Sequence, residues 1–461
     1  MSEHGAGAPD GTGTHEEPRT AGHGVAGAAA DAGVPVAAGE DHGLAEGQVL
    51  PTWLSRDRTS EPLPAETDVV VVGGGIAGTA LAYYLAKAGT EVLLLDRADL
   101  NREASGTNAG SFHIQLAIHQ LPATGSAAAD TDRLLTEAAL NLEAYEMWRT
   151  LDQELDADLG VHITGGWMVA ETAEQLQVLH DKRELEQQAG IVTEVVHGDE
   201  LRRRAPYLAP DLAGASWCPQ EGHANPLISA PLYALRASEH GARIRTHAAV
   251  LGLEHEPGAT LPFTVRTSDG VVRARRIVNC AGAWAGELGR LAGLKLPVRR
   301  EGLHVNVTEP RARVLEPMVQ HIGRRLTLKQ SSADTFIIGG GWPTPAAPPP
   351  RRYPTAWESA AGNTAVALRV MPLLADVRVV RTWSGVIVFT DDLSPVVGES
   401  SLVPGYHACI ASTGFTLSPL LARQLAERMT APGDHDPFPG DYDVDRAMHR
   451  APSVAPSTTT P

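Results

Sequence analysis

An α/β fold is predicted by three stretches of the sequence. VVVVGGGIAGTALAYYLAKAGTEVLLLD (69–96) reads as strand, glycine turn, helix and strand. RRIVNCAGAWAGELG (275–289) reads as a strand, then small residues, then a helix from about Trp284. GYHACIASTGFTLSPLLARQLAERM (405–429) reads as a strand, a glycine turn and an amphipathic helix.

In the first stretch the β-branched run Val69–Val72 fits a buried parallel strand. Gly73, Gly75 and Gly78 then form G-x-G-x-x-G, and helix formers follow from Ile76 to Ala88. Gly89 stops the helix and Glu91–Asp96 makes a second strand. This order is a Rossmann-like βαβ unit. The run from Val69 to Ala86 is uncharged and long enough for a bilayer, but its glycines and short helix exclude a span. The first glycine permits a tight turn, the second lets backbone approach a pyrophosphate, and the third lets helix and strand pack closely. The amides of Ile76 and Ala77 then open the helix toward the phosphates. Asp96, 18 residues past Gly78, suits ribose hydroxyls and repels a 2′-phosphate. The unit alone fits NAD or FAD.

Beyond Asp96 and Arg97 runs a Ser/Gly/Asn-rich loop, ASGTNAGS (104–111), where a nicotinamide enzyme would usually continue into another β–α pair. Ser105, Gly106, Ala109 and Gly110 let backbone approach a bulky planar ligand, and Asn108 and Ser111 offer polar contacts. In the second stretch Ala281 and Gly282 are the small residues at the strand's end, with Trp284 beside them. In the third, the helix after Gly414 aims its amides and positive dipole end above the sheet.

The chain has 461 residues, enough for two or three domains at roughly 150 residues each. Its formal charge of −17 argues against nucleic acid and against an anionic membrane surface. Residues 1–62 form an acidic Gly/Ala-rich tail, expected to be disordered because it has too little apolar surface to offset ordering. The tail also lacks the basic start and apolar core of a signal peptide. Cys218, Cys280 and Cys409 are too widely spaced for a zinc pattern or disulfide framework. They fit reduced thiols, and the expected location is the cytoplasm. No metal site is expected.

Together these motifs resemble the FAD-dependent D-amino-acid oxidase superfamily across roughly residues 66–430. ASGTNAGSFHIQL, EGHANP (221–226), HVNVTEP (304–310) and IIGGGWP (337–343) are most similar to one branch. That branch holds subunits of opine oxidases, hydrogen cyanide synthase and heteromeric sarcosine oxidase. The resemblance implies a GR2-type FAD domain (63–151, 224–298 and 381–432) interrupted by a mixed α+β substrate domain (152–223 and 299–380). A C-terminal extension (433–461) follows, its last ~12 residues expected to be disordered. The implied FAD contacts are Gly73, Gly75, Ile76, Ala77, Gly78, Asp96, Arg97, Ser105, Asn108, Ala109 and Gly110. Val250 (to adenine), Ala281, Gly282, Trp284, Gly414, Phe415, Thr416 and Leu417 complete the set.

The implied reaction is oxidation of a C–N bond in an amine or amino acid. Hydride passes to flavin N5, and the imine left behind is hydrolysed by water. His113 and Gln115 are the expected groups near the reacting carbon. His304 is read as a solvated or core residue, and Thr390, Asp391 and Asp392 as a structural turn. Some relatives carry an arginine for the substrate carboxylate two residues after the glycine of W-x-G; here that position is Ile387. Arg299, Arg300, Arg324, Arg325 and Lys329 are the candidates to replace it. Gly385 and Thr107 stand where other relatives link the flavin, so non-covalent FAD is expected. Oxygen, a quinone or a partner subunit would accept the electrons. The competing readings are a flavin-carrying subunit of a heteromeric enzyme and an FAD hydroxylase.

Overall fold

The computed structural model describes residues 62–116, 131–345, 353–431, 438 and 442–449. The acidic tail, the middle of the proline-rich loop at 343–354 and the end of the chain lie outside them.

In the first of two large sheets, Arg243–Arg245, Val92–Leu95, Glu66–Val72, Gly270–Asn279 and Tyr406–Ile410 run side by side and parallel; Ser111–Phe112 and Gly222–His223 make a separate two-stranded pair. Val396–Glu399 closes one edge antiparallel, and the hairpin of Val250–His255 and Phe263–Thr267 pairs onto Gly270–Asn279. Side-chain parity explains the unbroken apolar runs. Val69, Val71, Val92 and Leu94 face a core shared with helices Ile76–Lys87, Thr131–Leu155, Pro226–Glu239 and Gly414–Thr430. Val70, Val72, Leu93 and Leu95 face the opposite core, under the hairpin and helix Ala285–Leu291. A strand covered on both faces needs apolar side chains at both parities.

Gly73 has φ +116°, and a Cβ there would lie 2.3 Å from the Cys280 carbonyl oxygen. A Cβ on Gly78 would lie 1.9 Å from the Gly73 carbonyl oxygen, so helix and strand approach closer than any side chain permits. The helix has 12 residues and is about 18 Å long. Among the described residues no helix is long and apolar enough to cross a membrane.

The second sheet is mixed. Its order is Pro343–Thr344, Val298–Pro310, Thr335–Gly339, Thr327–Gln330, Met318–His321, Gly166–Ala170, Gly214–Cys218 and Glu194–His197. Only the pair Met318–His321 and Gly166–Ala170 is parallel. One face packs Val169, Val319, Leu328, Phe336 and Ile338 against helix Trp357–Val370.

Strand Val379–Thr390, expected from residue 381 to belong with the FAD-binding part, pairs instead along its length with Val298–Pro310 in this second sheet. Its 12 residues find a partner of matching length in that 13-residue strand. The chain returns to the first sheet through the turn at 391–395. There Asp392 accepts the Ser394 N–H and two bonds from Arg446, the structural role expected of this turn.

Candidate active site

The carboxyl ends of four parallel strands meet at one cleft. Val72 leads into Gly73, Leu95 into Asp96, Asn279 into Cys280 and Ile410 into Ala411, and all of these except Asn279 help line a cavity of about 520 Å³. Helices that follow such strands point unbonded N–H groups at this edge. Asp96 accepts the N–H of Gly74 at 2.6 Å and of Ala98 at 2.8 Å, while burial pushes its carboxyl up. The Ser105 hydroxyl accepts the Ile76 N–H at 2.9 Å, tying the turn at 104–107 to the helix start. The Arg97 guanidinium lies 3.6 Å over the Trp284 ring.

Most of the expected FAD contacts converge here. Gly73, Gly75, Ile76, Ala77, Asp96, Arg97, Ser105, Asn108, Val250, Ala281, Gly282, Trp284, Gly414 and Phe415 all line this cavity. Three others line neither this cavity nor its neighbour. Gly78 is the helix–strand contact, and Leu417 packs into the core. Gly110, at φ +74°, sits under the Ala224 carbonyl and the Lys329 amine. Asn108 braces its own loop, donating to the carbonyls of Ala104 and Ser105 and accepting the Gly110 N–H.

A second cavity of about 340 Å³ adjoins the first. Gly414, Phe415 and Asn108 line both. Its far wall is one row across the second sheet: Met168, Gln320, Thr327 and Gly339 are neighbours in register. Ala109, His113 and Thr416 close it from the first sheet's side. Helix Gly414–Thr430 begins between the two cavities with no side-chain cap and no acidic residue in its first turn. Trp148 pins it by donating Nε1–H to the Thr416 carbonyl at 2.9 Å, and Phe112 and Trp148 pack on Phe415.

The structure sorts the cationic candidates. Arg299 and Arg300 pair with Glu301 and Glu287. Lys329 is buried and does not line the second cavity. Arg324 and Arg325 stand at its mouth. Arg324 is engaged by Glu171 at 2.6 Å. Arg325 donates only to the Gly341 carbonyl and has no carboxylate partner among the described residues.

His304, read as solvated or core, is buried and lines the second cavity. Its Nε2 accepts the Ala356 N–H at 2.8 Å, so Nδ1 carries the proton, and Nδ1 has no partner among the described residues. Ser111 Oγ, lining the same cavity, is also buried and unpartnered among them.

His113 faces this cavity, and burial lowers its pKa. Its Nδ1 lies 2.9 Å from Gln320 Oε1. Gln115, the other expected reactive group, does not line the cavity. It is fully buried, donating to Glu221 at 3.0 Å and accepting from Lys182 at 3.0 Å. Gln320 and Glu221 were not legible as site residues. Glu221 opens the EGHANP stretch, but nothing in that stretch assigns it a role, and Gln320 lies in no marked stretch, because their bonds span 207 and 99 residues of sequence.

Two helix starts on one cleft, a carboxylate at the second strand's end and backbone approaches closed to any Cβ fit an extended dinucleotide. The fold and cleft define a dinucleotide-dependent oxidoreductase. The chain belongs to the DAO family of FAD-dependent oxidoreductases, whose model matches residues 68–428, and its cofactor is FAD. It is 28% identical to an opine oxidase subunit of Rhizobium meliloti, over 77% of this chain and 90% of that protein. It is 26% identical to the mitochondrial dimethylglycine dehydrogenase of Rattus norvegicus, over 79% of this chain but 43% of that longer protein. Among solved structures, L-proline dehydrogenase from P. horikoshii shares the fold with a TM-score of 0.73 at 24% identity, over 84% of this chain and 99% of that one.

Proposed function

We propose that the protein oxidises the C–N bond of an amine or amino acid, either N-substituted or of D configuration. One observation carries this reading. The second cavity meets the start of helix Gly414–Thr430 and presents an arginine and an imidazole nitrogen that, among the described residues, have no carboxylate partner and no hydrogen-bond partner respectively. Relatives named for opines and dimethylglycine support the substrate class.

Asp96 holds the ribose, the Gly73–Gly78 turn with Ser105 holds the pyrophosphate, and Val250 meets adenine. The amides that open helix Gly414–Thr430, up to Thr416, would stabilise negative charge at the far end of the ligand, whereas the Leu417 N–H already donates to the Thr413 carbonyl. Gly385 and Thr107 face each other and offer no linking cysteine or histidine, so FAD is held non-covalently. Bound FAD supplies the hydride acceptor. Arg325 grips a substrate carboxylate, His304 Nδ1–H donates to it, and His113 accepts a proton from the amine. Water hydrolyses the resulting imine. The electrons pass on to oxygen, a quinone or a partner subunit; similarity to an opine oxidase subunit favours the last. Cys280 and Cys409 are buried neighbours that remain free thiols, which supports the cytoplasm as location.

Anaerobic mixing of the FAD-loaded protein with an N-alkylated amino acid, against a plain D-amino acid, tests the substrate class. Loss of flavin absorbance with one of them is expected, and no bleaching with either overturns the reading. Arg325→Met should raise KM for carboxylate-bearing amines about tenfold to a hundredfold. It should leave amines without a carboxylate nearly unchanged.

A further inference from the structure

Behind His113 runs an unbroken chain of buried polar side chains. Lys182, with no exposed side-chain surface, pairs with Glu186 at 2.5 Å and donates to Gln115 Oε1 at 3.0 Å. An ammonium only donates, so this fixes the Gln115 amide with Nε2 toward Glu221 Oε2, at 3.0 Å. The backbone N–H of Gln115 also donates to Glu221, at 3.2 Å. As a carboxylate Glu221 can only accept, so Gln320 must turn Nε2 to it, at 3.0 and 3.1 Å. The other end of that amide, Oε1, then meets His113 Nδ1 at 2.9 Å and requires a proton there. Every orientation follows from its neighbour.

We propose that Glu221 is a positioning residue: through Gln320 it holds His113 as the Nδ1–H tautomer, leaving the Nε2 lone pair for the substrate's ammonium. This rests on the amine-oxidation reading above. In the step, the ammonium N–H bond breaks and its electron pair stays on the amine nitrogen. The proton is bound by Nε2. Were Glu221 protonated, it could donate to a flipped Gln320, whose Nε2 would donate to His113 Nδ1. Nε2 would then carry the proton and could not act.

The groups facing Glu221 are Gln115, Gln320, Cys218, Lys182 and Glu186; Lys329 acts on His113 by charge. Burial pushes the Glu221 carboxyl up to about 7, so the ordered state is complete above that pH and lost below it.

The test compares holoenzyme, Glu221→Gln and Gln320→Leu, each carrying ¹⁵N-histidine, in long-range ¹H–¹⁵N spectra that separate protonated from unprotonated ring nitrogens. His113→Asn identifies the signal. The wild type should show a protonated Nδ1 and an unprotonated Nε2, and both variants should lose that bias. Each should keep its flavin absorbance and lower kcat/KM about tenfold or more, with the acid limb near pH 7 absent in Glu221→Gln. The double variant should be no worse than the worse single, because both act along one path. Gln320→Leu tests the same link if Glu221→Gln does not fold. Wild-type tautomer signals in the variants overturn the relay and leave the functional reading standing. Undiminished turnover in His113→Asn removes His113 as the proton acceptor and overturns the relay while amine oxidation stands; absence of flavin bleaching by any amine in the wild type overturns the functional reading and takes the relay with it.

Discussion

Lys329 is 3% exposed, and its amine has no hydrogen-bond or ion-pair partner among the described residues. Desolvation lowers its pKa to about 7. Between pH 7 and 10.5 the unfolded chain holds a proton there that the folded chain does not, so stability rises with pH across that window. The contribution is complete above the unfolded value and lost as pH falls toward 7. Three and a half pH units correspond to several kcal/mol, on the order of 5. Lys329→Met keeps most of the volume and removes the charge. It should raise the urea midpoint at pH 7 and flatten the dependence of stability on pH between 7 and 10. Paired urea titrations at those two pH values check this, and an unchanged slope would mean the amine is solvated in the folded protein.

Two elements position the cofactor, and each depends on a contact that one substitution can remove. The start of helix Gly414–Thr430 is held by the bond from Trp148 Nε1 to the Thr416 carbonyl. Trp148→Phe keeps an aromatic ring against Phe112 and Phe415 but removes the indole bond to that carbonyl and part of the packing. It should cost about 1–3 kcal/mol and weaken FAD binding, read by thermal melts and by flavin release on dilution. Gly78→Val should be far more severe, since its Cβ would fall 1.9 Å from the Gly73 carbonyl oxygen. A soluble Gly78→Val protein that binds FAD normally would contradict the packing described. These elements were legible in the sequence because their signals are local: a valine run, three spaced glycines, a helix after Gly414. The far wall of the second cavity was not. Met168, Gln320, Thr327 and Gly339 become neighbours only through strand register, and each stretch reads as an ordinary strand. The same limit explains strand Val379–Thr390, whose composition does not say which sheet it joins. It also explains Arg325, whose pairing state depends on where Glu171 goes: that carboxylate serves Arg324 and Arg369 instead.

Over the whole molecule, both sheets contain histidines that burial keeps neutral. The pKa of His407 in the first sheet is lowered to about 4, with Glu399 only partly offsetting desolvation. His321 in the second sheet is also lowered to about 4, and His223, on the short strand Gly222–His223 paired with Ser111–Phe112, to about 3. A lowered folded-state pKa means stability that is complete above the unfolded value near 6.5 and lost as pH falls through the folded one. Each histidine accounts for about 3 kcal/mol or somewhat more over that range. Glu221 works the other way: its contribution is complete below the ordinary carboxyl range and lost as pH rises to about 7. These histidines, with His113 and His304 lowered as well, outweigh Glu221 and the raised Asp96 and Asp152 and leave a net loss on acidification. Relief of the −17 charge as pH approaches the isoelectric point near 5.5 opposes it only weakly, because exposed charges are screened at about 0.15 M salt. The melting temperature should therefore fall steeply between pH 6.5 and 4.5, in one transition because both sheets weaken together. His407→Gln should remove roughly a third of that fall while changing little at pH 8. A melting temperature flat across this range would show that these histidines gain protons freely in the folded chain, and that neither sheet buries them as described.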